Sequence, residues 1–404
     1  MKLCCRMLLC LMLSAAMLLS FCAASGTDGM EEPVVMTASA VSDTPPAVSA
    51  ASAILTDEAG NVLWSRNADA RMPMASTTKI MTALTVLKDG AEMDRAVTVP
   101  KEAVGVEGSS VYLYEGEILT VRQLLDAVLM ESANDAATAL AIAHAGSTAA
   151  FAERMNALAS EMGLSDTHFE NPHGLDGEEH YSTARELAVI ARAAMNDGVF
   201  AETVSTHKKE IPLKGSEGVR LLINHNRLLR TLDGCIGIKT GYTKKSGRCL
   251  VSACTRDGVT LYCVTLSAPD DWNDHRALYD WGFSQVAREV LTEAGEQYAV
   301  LPIVGGAHDD GSAPNDGEIL TVALKNTDAV SVTLPRDHEE IKKELRLPRF
   351  LYAPVTAGQQ IGAAVYTCGG EVLCVVPLYA QADVPLYREP TLWERIKGLF
   401  AGNR

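Results

Sequence analysis

Ser76 and Lys79 stand three residues apart in Ala75-Ser76-Thr77-Thr78-Lys79, a spacing that can do chemistry if the stretch is helical. Residues three apart share one side of a helix, so hydroxyl and amine meet. The apolar residues that follow, Ile80, Met81, Ala83, Leu84 and Leu87, recur at three and four, the period of a buried helix. A serine at such a helix start has its own backbone N–H unpaired and aimed at whatever its hydroxyl attacks. An amine among apolar neighbours loses its proton more readily than one in water. The pair therefore reads as nucleophile and base. The competing reading is a capping serine with a surface lysine, since Ser-x-x-Lys recurs by chance.

Elements that position this pair follow from the pattern around it. Residues 53–57 and 62–64 read as strands of a hairpin about Glu58-Ala59-Gly60-Asn61, on a sheet against which the Ser76 helix packs. Lys88-Asp89-Gly90 ends that helix. A strand at 97–99 and a Gly-rich segment at 105–116 precede a helix capped by Thr120, with Val121, Leu124, Leu125, Val128 and Leu129 on one face. That helix ends in the run 130–135, and another begins at Ala136, which leaves Ser132 and Asn134 in the turn between them. Their side chains either cap the second helix or face a cleft opposite Ser76. Helices follow at 149–162 and, capped by Ser182-Thr183, at 184–196. Residues 235–242 read as a strand carrying Lys239, Thr240 and Gly241, with small residues where a backbone or ligand comes close. Strands at 248–255 and 259–266 and a helix at 276–289 complete an α+β layout, helices stacked on an antiparallel sheet.

Composition narrows the function classes. A net charge of -16 excludes a nucleic-acid partner, which needs a basic surface, and disfavours broad adhesion to anionic lipid. Hydrophobic residues make up 47% of 404, enough for a sizeable core and against disorder. His168, His173 and His180 have no metal-ligand spacing and read as surface or local structural residues, so no metal or cofactor is expected. Cys235, Cys249, Cys254 and Cys263 suit buried free thiols in strands, while Cys368 and Cys374 flank a Gly-Gly turn where a disulfide could form.

Both ends carry their own signals. Lys2 and Arg6 precede an apolar run over residues 7–24 and small residues after it, a signal peptide expected over 1–24. An uncleaved anchor is the alternative; a lipoprotein is disfavoured by the bulk of Phe21 before Cys22. Residues 25–50, rich in Ser, Thr and Pro, read as a flexible linker without fixed structure. From Gln297 the composition turns to β, with strands expected at 300–304, 319–324, 330–334, 360–367 and 371–377, a small second domain. At the end, Leu392, Trp393, Ile396, Leu399 and Phe400 share one face, suited to a membrane interface or to packing on that domain.

Ser76-Thr77-Thr78-Lys79, Ser132-Ala133-Asn134 and Lys239-Thr240-Gly241, in this order, form the motif set of serine penicillin-binding proteins and β-lactamases. The surrounding residues 75–82, 129–137 and 238–241 resemble low-molecular-mass D-alanyl-D-alanine carboxypeptidases of the DacA/DacF type, and the resemblance runs from about residue 53 to 387. It implies a penicillin-binding-protein-like transpeptidase fold over 51–292, a small mostly-β domain over 293–388, and an amphipathic segment over 389–404 that holds the enzyme to the outer face of the cytoplasmic membrane. It implies Ser76 as the acylated nucleophile, Lys79 as its base and Ser132 as the proton relay to the leaving D-alanine. Asn134 would hold the substrate amide and orient Lys79. Lys239 would keep the pocket electropositive, Thr240 would bond the terminal carboxylate, and the N–H groups of Ser76 and of Tyr242, which follows Gly241, would form the oxyanion hole. The implied substrates are peptidoglycan stem peptides ending in D-Ala-D-Ala, with β-lactams as covalent inhibitors.

Chemistry asks for the same residue types. Serine needs activation to attack an amide, the oxyanion needs fixed donors, and a substrate ending in a carboxylate needs local positive charge in an acidic protein. A class A β-lactamase would instead need a deacylating glutamate in Glu-x-x-Leu-Asn, which Glu170-Asn171-Pro172 does not match. A non-catalytic wall-binding or sporulation scaffold would not need to keep every one of these side chains.

Overall fold

A computed structural model gives the fold of residues 44–213 and 218–393. The expected signal peptide, most of the expected linker, and Ile396, Leu399 and Phe400 lie outside the described residues.

Alternating apolar residues build the hairpin near the start: β1 (Ser52–Asp57), buried throughout, pairs antiparallel with β2 (Val62–Arg66). The chain then enters a 3-10 turn, Ala75–Thr78, that runs directly into α1 (Lys79–Lys88). Gly90, at φ 71°, follows that helix where a left-handed residue is needed. A short ribbon of β3 (Ala96–Thr98) and β4 (Ile118–Thr120) leads to α2 (Val121–Met130). Here Thr120 Oγ1 accepts the Gln123 N–H and Gln123 Oε1 accepts the Thr120 N–H, a reciprocal capping box. After one turn come α3 (Asn134–Ala145), α4 (Thr148–Glu161), α5 (Ala184–Met195) and α6 (Gly198–Ser205).

A hairpin of β5 (Lys208–Pro212) and β6 (Val219–Ile223) and the short α7 (Leu228–Thr231) come next. None of the three was expected from sequence. Each strand of the hairpin buries a single residue, Ile211 and Leu222, so no hydrophobic alternation marks it. Then β7 (Cys235–Thr243), β8 (Gly247–Arg256) and β9 (Val259–Leu266) complete a five-stranded antiparallel sheet in the order β2-β1-β9-β8-β7. β7 is therefore an edge strand.

Both faces of this sheet are covered. Ile54, Val251 and Val264 point into a core shared with Ile80, Leu84, Leu124, Val128 and Ile190 of the helices. Leu55, Leu250 and Leu261 point the other way, onto Leu278 and Tyr279 of α8 (Asp271–Gln285). At about 25 cal/mol per Å² of apolar surface removed from water, this double burial holds the sheet against α5 and α6. Helix α1, expected on the sheet itself, packs instead on α5 and the other helices, while the 3-10 turn before it meets β7. The helix expected at 276–289 is displaced: it starts five residues earlier, with Asp271 and Asp274 in its first turn, where carboxylates favour the dipole. It ends at Gln285 because Val286 to Thr292 form strand β10 (Val286–Thr292).

The expected linker also extends too far. Val48 and Ala50 are buried, and the Asp274 carboxylate accepts the Ser49 N–H, the Ser49 hydroxyl and the Ala50 N–H. A Pro-rich composition gives no sign that one buried carboxylate will capture its last residues.

The second domain begins with β11 (Gln297–Val304) and continues through β12 (Thr321–Lys325), β13 (Val330–Pro335), β14 (Lys342–Arg346), β15 (Leu351–Tyr352), β16 (Gln360–Cys368) and β17 (Glu371–Ala380). Six of these form one sheet, β14-β16-β17-β12-β11-β15, while β13 pairs with β10. Leu301, Ile303, Val322, Leu324, Tyr366, Val376 and Leu378 make its core. β14 and β15 were not expected: every residue of the first is exposed, and the second is two residues long. Cys368 and Cys374 are free thiols, and the register sets Cys374 against Tyr366 and Cys368 against Glu371 rather than against each other.

Candidate active site

Ser76 lies in the 3-10 turn, one residue after Ala75, whose φ of 48° is uncommon for a side chain with a Cβ. Lys79 begins α1 and is completely buried. Its Nζ donates to three acceptors: Ser76 Oγ at 2.9 Å, Asn134 Oδ1 at 2.6 Å and the His173 carbonyl at 2.5 Å. Burial first, and then the nearby Lys239 ammonium, push the Lys79 pKa well below that of a free lysine, while Asp135 opposes the shift. The reading of Ser76 as a mere cap fails, since its side chain caps no helix and the lysine is not on the surface.

The turn after α2 supplies the second group. Ser132 sits at φ 59°, a conformation that costs a non-glycine residue about 1–3 kcal/mol and persists only where its surroundings enforce it. The α3 N-cap is Ala133, so neither Ser132 nor Asn134 is there to cap that helix. Asn134 instead spans the site: its Oδ1 accepts from Lys79, and its Nδ2 donates to the Glu107 carbonyl at 2.5 Å. Asp135, also buried, accepts the Ser110 hydroxyl and the N–H groups of Val111 and Leu113, fixing the Gly-rich segment above the site.

β7 supplies the third. Two glycines let it and the 170–175 loop close on Ser76. A Cβ on Gly241 would lie 3.0 Å from Ser76 N and 3.1 Å from Met74 O, and one on Gly174, at φ 89°, would overlap Ala75 O. Lys239 is buried with its Nζ 2.9 Å from the Thr240 carbonyl, and burial lowers its pKa to about 7 while Glu131 acts to raise it. Ser76, Ser132, Thr240, Gly241 and Tyr242 line one cavity of about 280 Å³. The three sequence-distant groups thus meet around a single space.

Sequence reasoning missed several residues here. His225, Ser109, Arg248, Asp271 and Trp272 line the same cavity. Arg248 lies opposite Tyr242 in the β7–β8 register, bonded to Asp271 at 2.7 Å and over the Trp272 ring at 5.5 Å. None has a spacing to the motifs that would reveal it. Of the two readings open to the histidines at 173 and 180, surface or local structural, the structural one holds. His173 offers its carbonyl to Lys79, and His180 is buried beneath the Ser76 turn with Nε2 2.8 Å from Thr78 Oγ1. Burial and the Lys79 charge lower their pKa values to about 3 and about 4.

Residues 39–270 match the family model of D-alanyl-D-alanine carboxypeptidases, more than half of the chain. The chain belongs to that family. Residues 293–386 match the C-terminal domain of penicillin-binding protein 5, which agrees with the second β-rich domain. Among curated D-alanyl-D-alanine carboxypeptidases, DacF of Bacillus subtilis is 30% identical over 83% of this chain and 86% of its own length. DacC of Escherichia coli is 34% identical over 84% and 85%. Penicillin-binding protein 5 of Haemophilus influenzae superposes with a TM-score of 0.64 at 28% identity, covering 85% of this chain and all of that one. The Streptomyces K15 DD-transpeptidase matches the first domain, with a TM-score of 0.57 and 33% identity over 60% of this chain and 99% of its own. This D-alanyl-D-alanine carboxypeptidase therefore has the transpeptidase fold and the β-rich domain that its motifs implied. The loop that would carry a β-lactamase glutamate brings the His173 carbonyl to Lys79 instead. Among the described residues, no cluster of His, Cys, Asp or Glu could hold a metal ion.

Proposed function

We propose that Ser76 is the nucleophile of this D-alanyl-D-alanine carboxypeptidase, acylated by the substrate, and that Lys79 is the base that activates it. The observation that carries this reading is the buried Lys79 Nζ lying between Ser76 Oγ and Asn134 Oδ1. With its proton lost, that amine accepts the Ser76 proton as Oγ attacks the carbonyl of the penultimate D-alanine. The N–H groups of Ser76 and Tyr242 hold the resulting oxyanion. Ser132 passes the proton to the leaving D-alanine nitrogen, and Asn134 holds the substrate amide. Lys239 and Thr240 receive the terminal carboxylate. Water then attacks the acyl-enzyme, with Lys79 and Ser132 serving again as base and relay. The substrates are peptidoglycan stem peptides ending in D-Ala-D-Ala, and a β-lactam acylates Ser76 without releasing its leaving group.

The same reading puts the enzyme outside the cytoplasm. The basic and apolar residues of 1–24 support export, and exposed Leu392 and Trp393 support a lipid contact by the C-terminal segment. Among the described residues, no helix is long and apolar enough to cross a membrane.

Intact-mass spectrometry with a D-Ala-D-Ala peptide and with penicillin tests the mechanism. Release of one D-alanine and a long-lived penicilloyl adduct, both absent in Ser76→Ala, are expected. Rapid turnover of the adduct would mean a β-lactamase, and no adduct would leave a scaffold.

A further inference from the structure

β7, the edge strand that carries Lys239, Thr240 and Gly241, begins with a cysteine that faces another. Cys235 of β7 stands directly opposite Cys254 of β8 in the antiparallel register. The Cys235 N–H donates back to the Leu232 carbonyl, while the neighbouring cross-strand bond runs from the Thr255 N–H to the Gly234 carbonyl. The pair is thus of the non-hydrogen-bonded kind, in which opposed Cα atoms lie about 4.5 Å apart and side chains come closest. A disulfide needs Cα atoms within about 4.4–6.8 Å. Both side chains join the same core, with Leu278 and Tyr279 of α8. Cys263 lies in that core too, but it stands opposite Ser252, diagonal to Cys254, and such neighbours are about 7–8 Å apart, too far to bridge.

The two sulfurs are not equivalent. Cys254 is buried and Cys235 half-buried, so an oxidant in solution meets Cys235 first. The Cys254 thiol above all, with the Gly237 backbone and the Asn226 amide, holds the Cys235 thiol below its ordinary pKa against the effect of burial, whereas the contact with Cys235 pushes Cys254 up. Asn226 is almost fully buried; its Oδ1 accepts the Leu228 N–H, which fixes the amide, and its Nδ2 reaches no oxygen acceptor. A donor left over beside a sulfur stabilises the thiolate, the nucleophilic form in disulfide exchange.

We propose that Cys235 and Cys254 are a dithiol–disulfide pair that latches the start of β7 to β8. The Cys235 thiolate attacks one sulfur of an external disulfide, forming a mixed disulfide and releasing one thiolate. That thiolate takes the Cys254 proton, and the Cys254 sulfur then attacks Cys235, expelling the second thiolate, which is protonated from water. Two cysteines are oxidised and one external disulfide is reduced to two thiols. The bridge closes a loop over residues 235–254 and pins an edge strand that the sheet otherwise holds on one side only.

In the test the full chain, folded and reduced, is incubated with oxidised glutathione and read by intact mass, peptide mapping, calorimetry and hydrogen exchange. A loss of two hydrogens mapped to Cys235 and Cys254 is expected, with Tm raised by about 5 °C and slower amide exchange along residues 235–243. Cys254→Ala should retain glutathione on Cys235, because no second thiol displaces it, and Cys235→Ala should leave Cys254 unmodified. No bridge between Cys235 and Cys254 in the wild type, or a bridge from either to another cysteine instead, overturns the proposal. So does a Cys235–Cys254 bridge that leaves both Tm and β7 exchange unchanged. The wild-type readings decide the matter even where a variant does not fold.

Discussion

Lys79 Nζ lies 2.9 Å from Ser76 Oγ, inside a site where the lysine has no exposed surface. The same packing that buries the amine lowers its pKa and gives it three fixed acceptors. Replacing Lys79 by Arg puts a base that does not deprotonate at this position. Penicillin acylation of Lys79→Arg should fall by at least about 10³-fold, within the range of general-base and nucleophile activation, as read by stopped-flow or intact mass. Acylation within tenfold of wild type would exclude Lys79 as the base.

Activity should rise and then fall with pH. As the proposed base, Lys79 must be neutral to take a proton, so kcat/KM rises as pH climbs through its lowered pKa. In its proposed role Lys239 must be charged to hold a carboxylate, and it loses its proton at about 7, so kcat/KM falls above that pH. A profile for a D-Ala-D-Ala peptide that continues to rise to pH 9 would contradict this.

Lys239 should also cost stability. Its pKa is about 7 when folded and 10.5 when free, so the unfolded chain binds more protons between these values and stability rises with pH across that window. Lys239→Met removes this slope. At pH 7 it should raise Tm by about 2–4 °C, equivalent to about 1 kcal/mol, while abolishing turnover. Differential scanning calorimetry at pH 7 and pH 10 reads both effects.

His180 should act through the Ser76 turn. Its Nδ1 accepts the Glu170 N–H, so its Nε2 carries the proton and donates to Thr78 Oγ1, which in turn donates to the Ala75 carbonyl. His180→Ala breaks this chain two residues from Ser76 and should lower kcat by about tenfold with KM little changed. Because its folded pKa, about 4, lies below the free value of 6.5, its contribution is complete above pH 6.5 and is lost as pH falls through 4. An acid-unfolding midpoint that is the same in the variant would refute the second part.

Gly241→Ala tests the close approach of β7. The new Cβ would press on Ser76 N, Ala75 Cβ and Met74 O at 3.0 to 3.1 Å and displace the strand that carries Thr240 and Tyr242. Acylation should fall by about 10²-fold, the effect of a misplaced oxyanion donor, while far-ultraviolet circular dichroism stays unchanged.

Sequence alone singled out Ser76, Lys79, Ser132, Asn134, Lys239 and Thr240 as candidates, through three motifs and the family they resemble, and each motif occupies a run whose local structure its own residues dictate. The Ser76–Lys79 spacing is a property of one helical turn, and the Thr120 capping box, the β1–β2 hairpin and the thiols of β8 and β9 are equally local. Tertiary structure decided the rest. The carbonyl that holds Lys79 comes from His173, a main-chain group that any residue could supply, so no side-chain pattern marks it. His225, Arg248 and Trp272 reach the cavity only because the β5–β6 hairpin, the β7–β8 register and the start of α8 bring them there. Ser49 and Ala50 join the fold through the carboxylate of Asp274, more than two hundred residues away. Contacts of this kind depend on where distant segments pack, which periodicity and spacing do not encode.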